Sequence, residues 1–191
     1  MKEQLTAQGW IDFALKTLAR EGAEALKADV LARKLGVSRG SFYWHFSELG
    51  DFHARLVVRW RDIATEAIIA DLAQYQSARR RLAVLLRAAL SRDARLEVRM
   101  RAFADTNARA ARAVAAVDRR RRRYIEQLLV GAGVARPLAA TRAQLLYWAY
   151  LGAALGRGKL AGAALARAVD ALMRLAFAGA GRAGRGRKRR R

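Results

Sequence analysis

Apolar residues return every three or four positions along almost the whole of this 191-residue chain, the period of helices that bury one face. No run of alternating β-branched residues interrupts that pattern. The spacing predicts a first helix that Thr6 caps, with Trp10, Phe13, Ala14 and Leu18 as its apolar face, running to about Arg20 and stopped by Gly22. Residues 28–35 form a second, with Val30, Leu31 and Leu35 around the small Ala32. Gly36 then supplies the positive φ that lets the chain turn at Gly36-Val37, and Ser38 caps a third helix. A fourth opens at Ser47 or Glu48 and passes through Phe52, Leu56, Val57, Trp60, Ile63, Ala64, Ala67 and Ile68 to about Leu72. Further helices are expected near 79–91 and 93–104, then a long one over about 108–129, broken by Gly131-Ala132-Gly133. Pro137 stands near the start of the next, whose 143–156 segment is apolar all round, and 161–178 completes the set.

The short link between the second and third helices has the spacing of a helix-turn-helix. Val37, Phe42 and Phe46 recur on one face of the third helix, so that face packs, while Arg39, Gly40, Tyr43 and Trp44 recur on another and look outward. No acidic residue occurs from Val30 to Ser47, which suits a phosphate-lined groove. Spacing alone also allows a partner-binding helical hairpin.

The run GVSRGSFYWHF, preceded by LARKL and by a helix ending in REG, resembles the DNA-binding domain of the TetR family of bacterial transcriptional regulators. The resemblance covers roughly residues 5–52. It implies an all-α fold, with an N-terminal three-helix helix-turn-helix head over 1–49 and a helical effector-binding and dimerisation bundle over 50–178. It also implies base or phosphate contacts for Ser38, Arg39, Gly40, Ser41, Tyr43, Trp44 and His45. Lys27 stands where the family often has threonine and can still reach a phosphate, whereas Leu49, where the family often has lysine, cannot. Arg39 is best suited to guanine, with Tyr43, Trp44, Ser38 and Lys27 positioned for phosphates or thymine methyls.

Composition narrows the rest. There is no cysteine, which excludes disulfides and thiolate chemistry and fits a reducing cytosol. The opening residues lack the apolar core of a secretion signal, and the longest uncharged stretch, 143–156, is too short to span a membrane, so the expectation is a cytoplasmic protein. With two histidines and no cysteine, no metal site can be assembled by spacing, and His53 reads as a packing residue. The Gly156-Arg157-Gly158-Lys159-Leu160 segment lacks the order of a phosphate loop and reads as a connection between helices; no cofactor is implied. The absence of a Cys nucleophile, a framed acid pair or a glycine-rich strand-to-helix loop argues against an enzyme.

Net charge is +22, yet the first 50 residues hold seven Lys or Arg against six Asp or Glu. The excess lies elsewhere, in the 119–123 arginine run and in the tail 179–191, which reads as a disordered basic arm. A sequence-indifferent architectural DNA binder driven by those arginines is therefore the alternative to a sequence-specific homodimeric repressor acting on an inverted repeat of double-stranded DNA. Dimerisation is expected through the last two helices, 137–156 and 161–178, where Gly152, Ala153, Ala154 and Gly156 permit close approach. For a small-molecule effector, the expected wall is Trp60, Met100, Phe103, Asn107, Tyr124, Tyr147, Trp148 and Tyr150, although ordinary core packing explains each as well.

Overall fold

A computed structural model describes residues 5–156 and 159–179. The arginine-rich tail after Gly179 and the Arg157-Gly158 link lie outside the described residues. Those described contain helices and turns, with no strand among them. The order is α1 (Ala7–Glu21), a 3₁₀ turn (Ala23–Leu26), α2 (Ala28–Leu35), α3 (Arg39–His45), α4 (Leu49–Arg61), α5 (Ala67–Leu72), α6 (Ala78–Ser91), α7 (Arg95–Thr106), α8 (Ala108–Gly131), α9 (Arg136–Leu155) and α10 (Gly162–Phe177). One π turn, Asp62–Glu66, joins α4 to α5.

Packing divides the chain into two compact units that do not follow chain order. The first comprises the described residues up to Ile68 together with Ala94–Asp118. Trp10, Ile11, Ala14 and Leu18 of α1, Leu31 of α2, Phe42 and Phe46 around α3, and Phe52, Leu56 and Trp60 of α4 form its core. Met100 and Phe103 of α7 and Ala110, Val114 and Val117 of α8 join them. The α1 helix starts as the sequence predicts: the Thr6 hydroxyl accepts from the Gly9 amide at 3.1 Å. Across the unit, Arg59 donates from Nε to Asp12 at 2.8 Å, which holds the Asp12 carboxyl below its usual range.

The fourth helix reaches Leu72 as expected, but not as one uninterrupted α-helix. The Ala67 amide bonds back to the Asp62 carbonyl, five residues earlier. Buried positions step from Trp60 to Thr65 across this turn, so Thr65, at 2 % exposure, takes the inward place that α spacing gives to Ala64.

His53 on α4 packs edge-on against Phe103 at 5.1 Å, and its Nε2 is buried without a hydrogen-bond partner. Burial pushes its pKa below 6.5, and a hydrogen bond to the Leu26 backbone acts in the opposite direction. Below pH 6.5 the unfolded chain therefore binds the proton more readily than the folded one, and stability should fall as pH falls from 6.5 through the lower folded value. The expected slope stays under the one-proton limit of about 1.4 kcal/mol per pH unit. Urea titrations above and below this window, on the wild type and on His53→Asn, should show that share of the slope vanish in the variant.

The second unit comprises Ile69–Asp93 and the described residues from Arg119 onward. Leu82, Leu86 and Leu90 of α6 meet Ile125, Leu128 and Leu129 of α8, and Leu146, Tyr147, Leu165 and Val169 of α9 and α10 close the core. Helix α8 ends where the sequence predicts. Gly133, at φ 89°, donates to Val130 at 2.9 Å, and Val134 donates to Leu129 at 3.0 Å, so two orphan carbonyls are satisfied. Arg142 of α9 is buried and donates to the carbonyls of Ala176, at 2.9 Å, and Ala178. Its charge thus sits at the negative end of α10.

Candidate nucleic-acid interface

The turn between α2 and α3 is closed by two backbone bonds. Gly36, at φ 67° and ψ 32°, donates to Arg33 at 3.2 Å, and Val37 donates to Ala32 at 3.0 Å. A Cβ at Gly36 would meet nothing within 4 Å, so the left-handed backbone and not crowding is what asks for glycine. Ser38 then caps α3 by accepting from the Ser41 amide at 3.3 Å.

Aromatic packing fixes which way α3 faces. Phe42 is fully buried, with ring centroids 5.4 Å from Trp10, 5.0 Å from Phe46 and 5.1 Å from Phe52. With that face pinned, Arg39, Gly40, Tyr43 and Trp44 are presented outward. Trp44 is 81 % exposed and Tyr43 43 %. Tyr43 rests edge-on against Phe42 at 5.3 Å, while its hydroxyl accepts from Arg39 Nη2 at 3.3 Å. That hydrogen bond holds the Arg39 pKa above its usual value. The pair forms a pre-arranged edge, a guanidinium oriented by a phenol hydroxyl, of the kind that reads a base or a phosphate.

The remaining predicted contacts differ in how ready they are. Ser41 and His45 are half-buried on the flanks of α3, and Ser38 is exposed while its hydroxyl is engaged in the cap. Lys27 precedes α2 and is exposed, but its Nζ is 2.9 Å from Glu24, whose hydrogen bond raises the lysine pKa. A phosphate would have to share its ammonium with Glu24 or displace it. Leu49 packs at the edge of the core. Sequence reading missed Arg109, whose Nη1 donates to the Gly50 carbonyl at 3.0 Å and so ties α8 to the first turn of α4. No local pattern announces a contact between residues 59 apart.

The eight residues expected around an effector divide between the two units. Trp60, Met100 and Phe103 are buried in the first core, and Asn107 caps α8 by accepting from the Ala110 amide at 3.0 Å. Tyr147 is buried in the second core beside Tyr150, at 5.9 Å between centroids; Tyr124 is half-buried and Trp148 exposed. An open groove of about 420 Å³ between α1 and α4, lined by Gln8, Ile11, Arg55, Val58 and Arg59 among others, uses none of the eight. Among the described residues no cluster of His, Cys, Asp or Glu is arranged to hold a metal, and no helix is long and apolar enough to cross a membrane.

Residues 11–48 match the family profile described as bacterial regulatory proteins, tetR family. A curated relative, the HTH-type transcriptional regulator SrpR of Pseudomonas putida, is 45 % identical over 42 residues, or 22 % of this chain. That match spans only a fifth of the relative's length, 20 %. Two solved structures extend the likeness over most of the chain at the level of the fold. A transcriptional regulator from Saccharomonospora viridis in complex with choline covers 87 % of this chain and 92 % of its own, with a TM-score of 0.66 and 19 % identity. The regulator FadR from Bacillus subtilis in complex with stearoyl-CoA covers 89 % and 97 %, with a TM-score of 0.64 and 16 % identity.

Proposed function

Because the chain belongs to the TetR family of bacterial regulatory proteins, we propose that it is a sequence-specific transcriptional repressor that binds an inverted-repeat operator as a homodimer. The observation that carries this is α3, with Phe42 and Phe46 locked inward and Arg39, Gly40, Tyr43 and Trp44 turned to solvent. In this reading residues 1–49 are the head that reads one half-site, and residues 50–178 are the effector-binding and dimerisation bundle.

The dimer reading is supported by α9. Leu138, Leu145, Trp148 and Leu155 are all exposed and fall, with Thr141 and Gly152, on one stripe of that helix. Leu175 of α10 is exposed as well. Large apolar residues gathered on one stripe are what a self-complementary interface needs. Trp148, at 59 % exposure, is its largest side chain. Replacing Trp148 by glutamate is therefore expected to raise the dimer dissociation constant at least about thirtyfold, the scale of an interface hot spot. Sedimentation velocity across a dilution series measures this; an unchanged dimer would move the interface elsewhere.

The effector part of the reading takes support from the choline and stearoyl-CoA complexes of the two proteins that share the fold. Those ligands are chemically unlike each other, so they point to a bundle that accepts a small molecule and not to a particular one. The whole reading is tested by incubating purified protein with fragmented genomic DNA at near-physiological salt and sequencing what is retained. One enriched inverted repeat is the expected result. Equal retention of all fragments would overturn sequence specificity.

A further inference from the structure

Positive charge is divided unevenly between the two units. The first carries fifteen of the 38 lysines and arginines and twelve of the 16 acidic residues, so it is close to balanced. The rest of the sequence carries the other twenty-three and only four acids, Asp71, Asp93, Glu126 and Asp170. Seven of those basic residues belong to the tail beyond Gly179, which leaves a large excess on the helices themselves.

Much of that excess lies on two helices, α6 and α8. Arg79, Arg80 and Arg81 occupy the first turn of α6 with no acidic residue among them, the end of a helix where cations are least favourable. Arg119 to Arg123 occupy the start of the second unit's part of α8. Helix α6 packs beside α8: Leu82 shares a core with Ile125 and Leu128, and Ala78 lies 3.4 Å from where a Cβ on Gly131 would stand, so the two arginine runs belong to neighbouring helices. Like charges brought together at the positive end of a helix repel one another, and nothing in the helix dipole offsets that repulsion.

The guanidiniums are also held in a form suited to phosphate. Arg79 lies over Phe177 at 4.4 Å, Arg80 over Tyr75 at 6.0 Å, Arg120 over Tyr124 at 5.9 Å and Arg121 over Tyr150 at 5.6 Å. In the exposed Arg79 and Arg80, stacking occupies the flat face of the guanidinium and not the N–H edge that an oxyanion needs. Arg79, Arg80, Arg119 and Arg123 are the exposed members of the cluster.

We propose that this arginine surface of the second unit is a second DNA-binding surface, which holds duplex DNA of any sequence through its phosphates. An extended polyanion fits better than a single small anion, because the exposed arginines are spread along two helices and not gathered round a cavity. A membrane fits less well: the exposed large apolar residues of this unit lie on α9 and α10, whereas a surface-bound amphipathic helix carries them beside its cations. The assignment is independent of how the head reads an operator.

The test uses the full chain carrying Arg39→Ala and Tyr43→Ala to silence the head. Binding of a labelled random-sequence duplex is followed by fluorescence anisotropy between about 50 and 200 mM salt. Steeply salt-dependent binding is expected to persist. Adding Arg79→Gln, Arg80→Gln, Arg119→Gln and Arg123→Gln should weaken it at least about tenfold and flatten the log–log slope by about 3 to 4, the loss of four phosphate contacts. Lysine at the same four positions should restore most of the slope, which a merely misfolded variant cannot do. Truncation after Gly179 should leave the difference between arginine and glutamine in place. Overturning results are equal affinity and slope for the arginine and glutamine proteins, or a difference that disappears with the tail. Vesicles of phosphatidylglycerol captured more tightly than the duplex, through the same four residues, would also overturn it in favour of lipid. With the head intact, the glutamine protein should still enrich the same inverted repeat, so failure here is distinct from failure of the repressor reading.

Discussion

Replacing Arg39 and Tyr43 together by alanine should lower affinity for the selected operator by at least about a hundredfold, since each good side-chain contact to a base is worth about 1–3 kcal/mol. The fold should be little affected. Both side chains are exposed, their mutual hydrogen bond lies at the surface, and only the edge contact of Tyr43 on Phe42 is lost from the packing. Affinity for unrelated duplex should change much less than affinity for the operator, because phosphate contacts elsewhere are untouched. Competition titrations with operator and scrambled duplexes measure both, with a thermal melt as the control for folding. If the double variant keeps full preference for the operator, α3 is not the reading helix and the head has been assigned to the wrong surface. Tyr43→Phe refines the result: it keeps the ring against Phe42 but removes the acceptor that orients Arg39, so a partial loss is expected.

The parts of this structure legible in the sequence are those that depend on neighbours in the chain. Thr6 and Ser38 cap their helices, and Gly36 and Gly133 turn the chain at positive φ, because each acts within four or five residues of itself. The faces of α1 and α3 follow from a period that any apolar stripe must obey. What the sequence conceals depends on partners far along the chain. Nothing near Ala64 says that Thr65 will turn inward, since that depends on what lies across the core from it. Arg142 reads as one more surface arginine on α9 until α10, 34 residues later, brings its last carbonyls to it. The division into two units is hidden for the same reason: 94–118 packs with the first 68 residues and not with the segments that adjoin it. The candidate effector residues rest on a weaker signal. Size and polarity selected them, but Trp60, Met100 and Phe103 belong to one core and Tyr147 to the other, where packing alone accounts for burial.

Arg101 shows how much such a distant partnership contributes. It bridges two carboxylates, donating from Nη2 to Glu97 at 2.8 Å along α7 and to Asp118 on α8 at 2.7 Å, with a further bond from Nη1 to Asp118 at 3.2 Å. The Glu97 side chain is 6 % exposed and that of Asp118 23 %, so water can do little to replace the guanidinium. Arg101→Ala should therefore destabilise the protein by about 3–5 kcal/mol, the scale of a broken buried ion pair. In a chain of this length that is a fall in Tm of roughly 10 °C. The loss comes from taking the shared cation away from two carboxylates, not from losing a uniquely favourable contact. Arg101→Met combined with Glu97→Leu should accordingly recover a good part of it, despite removing more polar atoms. A double variant no more stable than Arg101→Ala would mean that the arginine acts through shape and not through charge. Helix α7 packs along α1, and α1 carries the Trp10 that pins Phe42, so loosening α7 should also reach α3. Operator affinity of Arg101→Ala, measured well below its Tm, is expected to fall severalfold although the residue is no part of the DNA-facing surface.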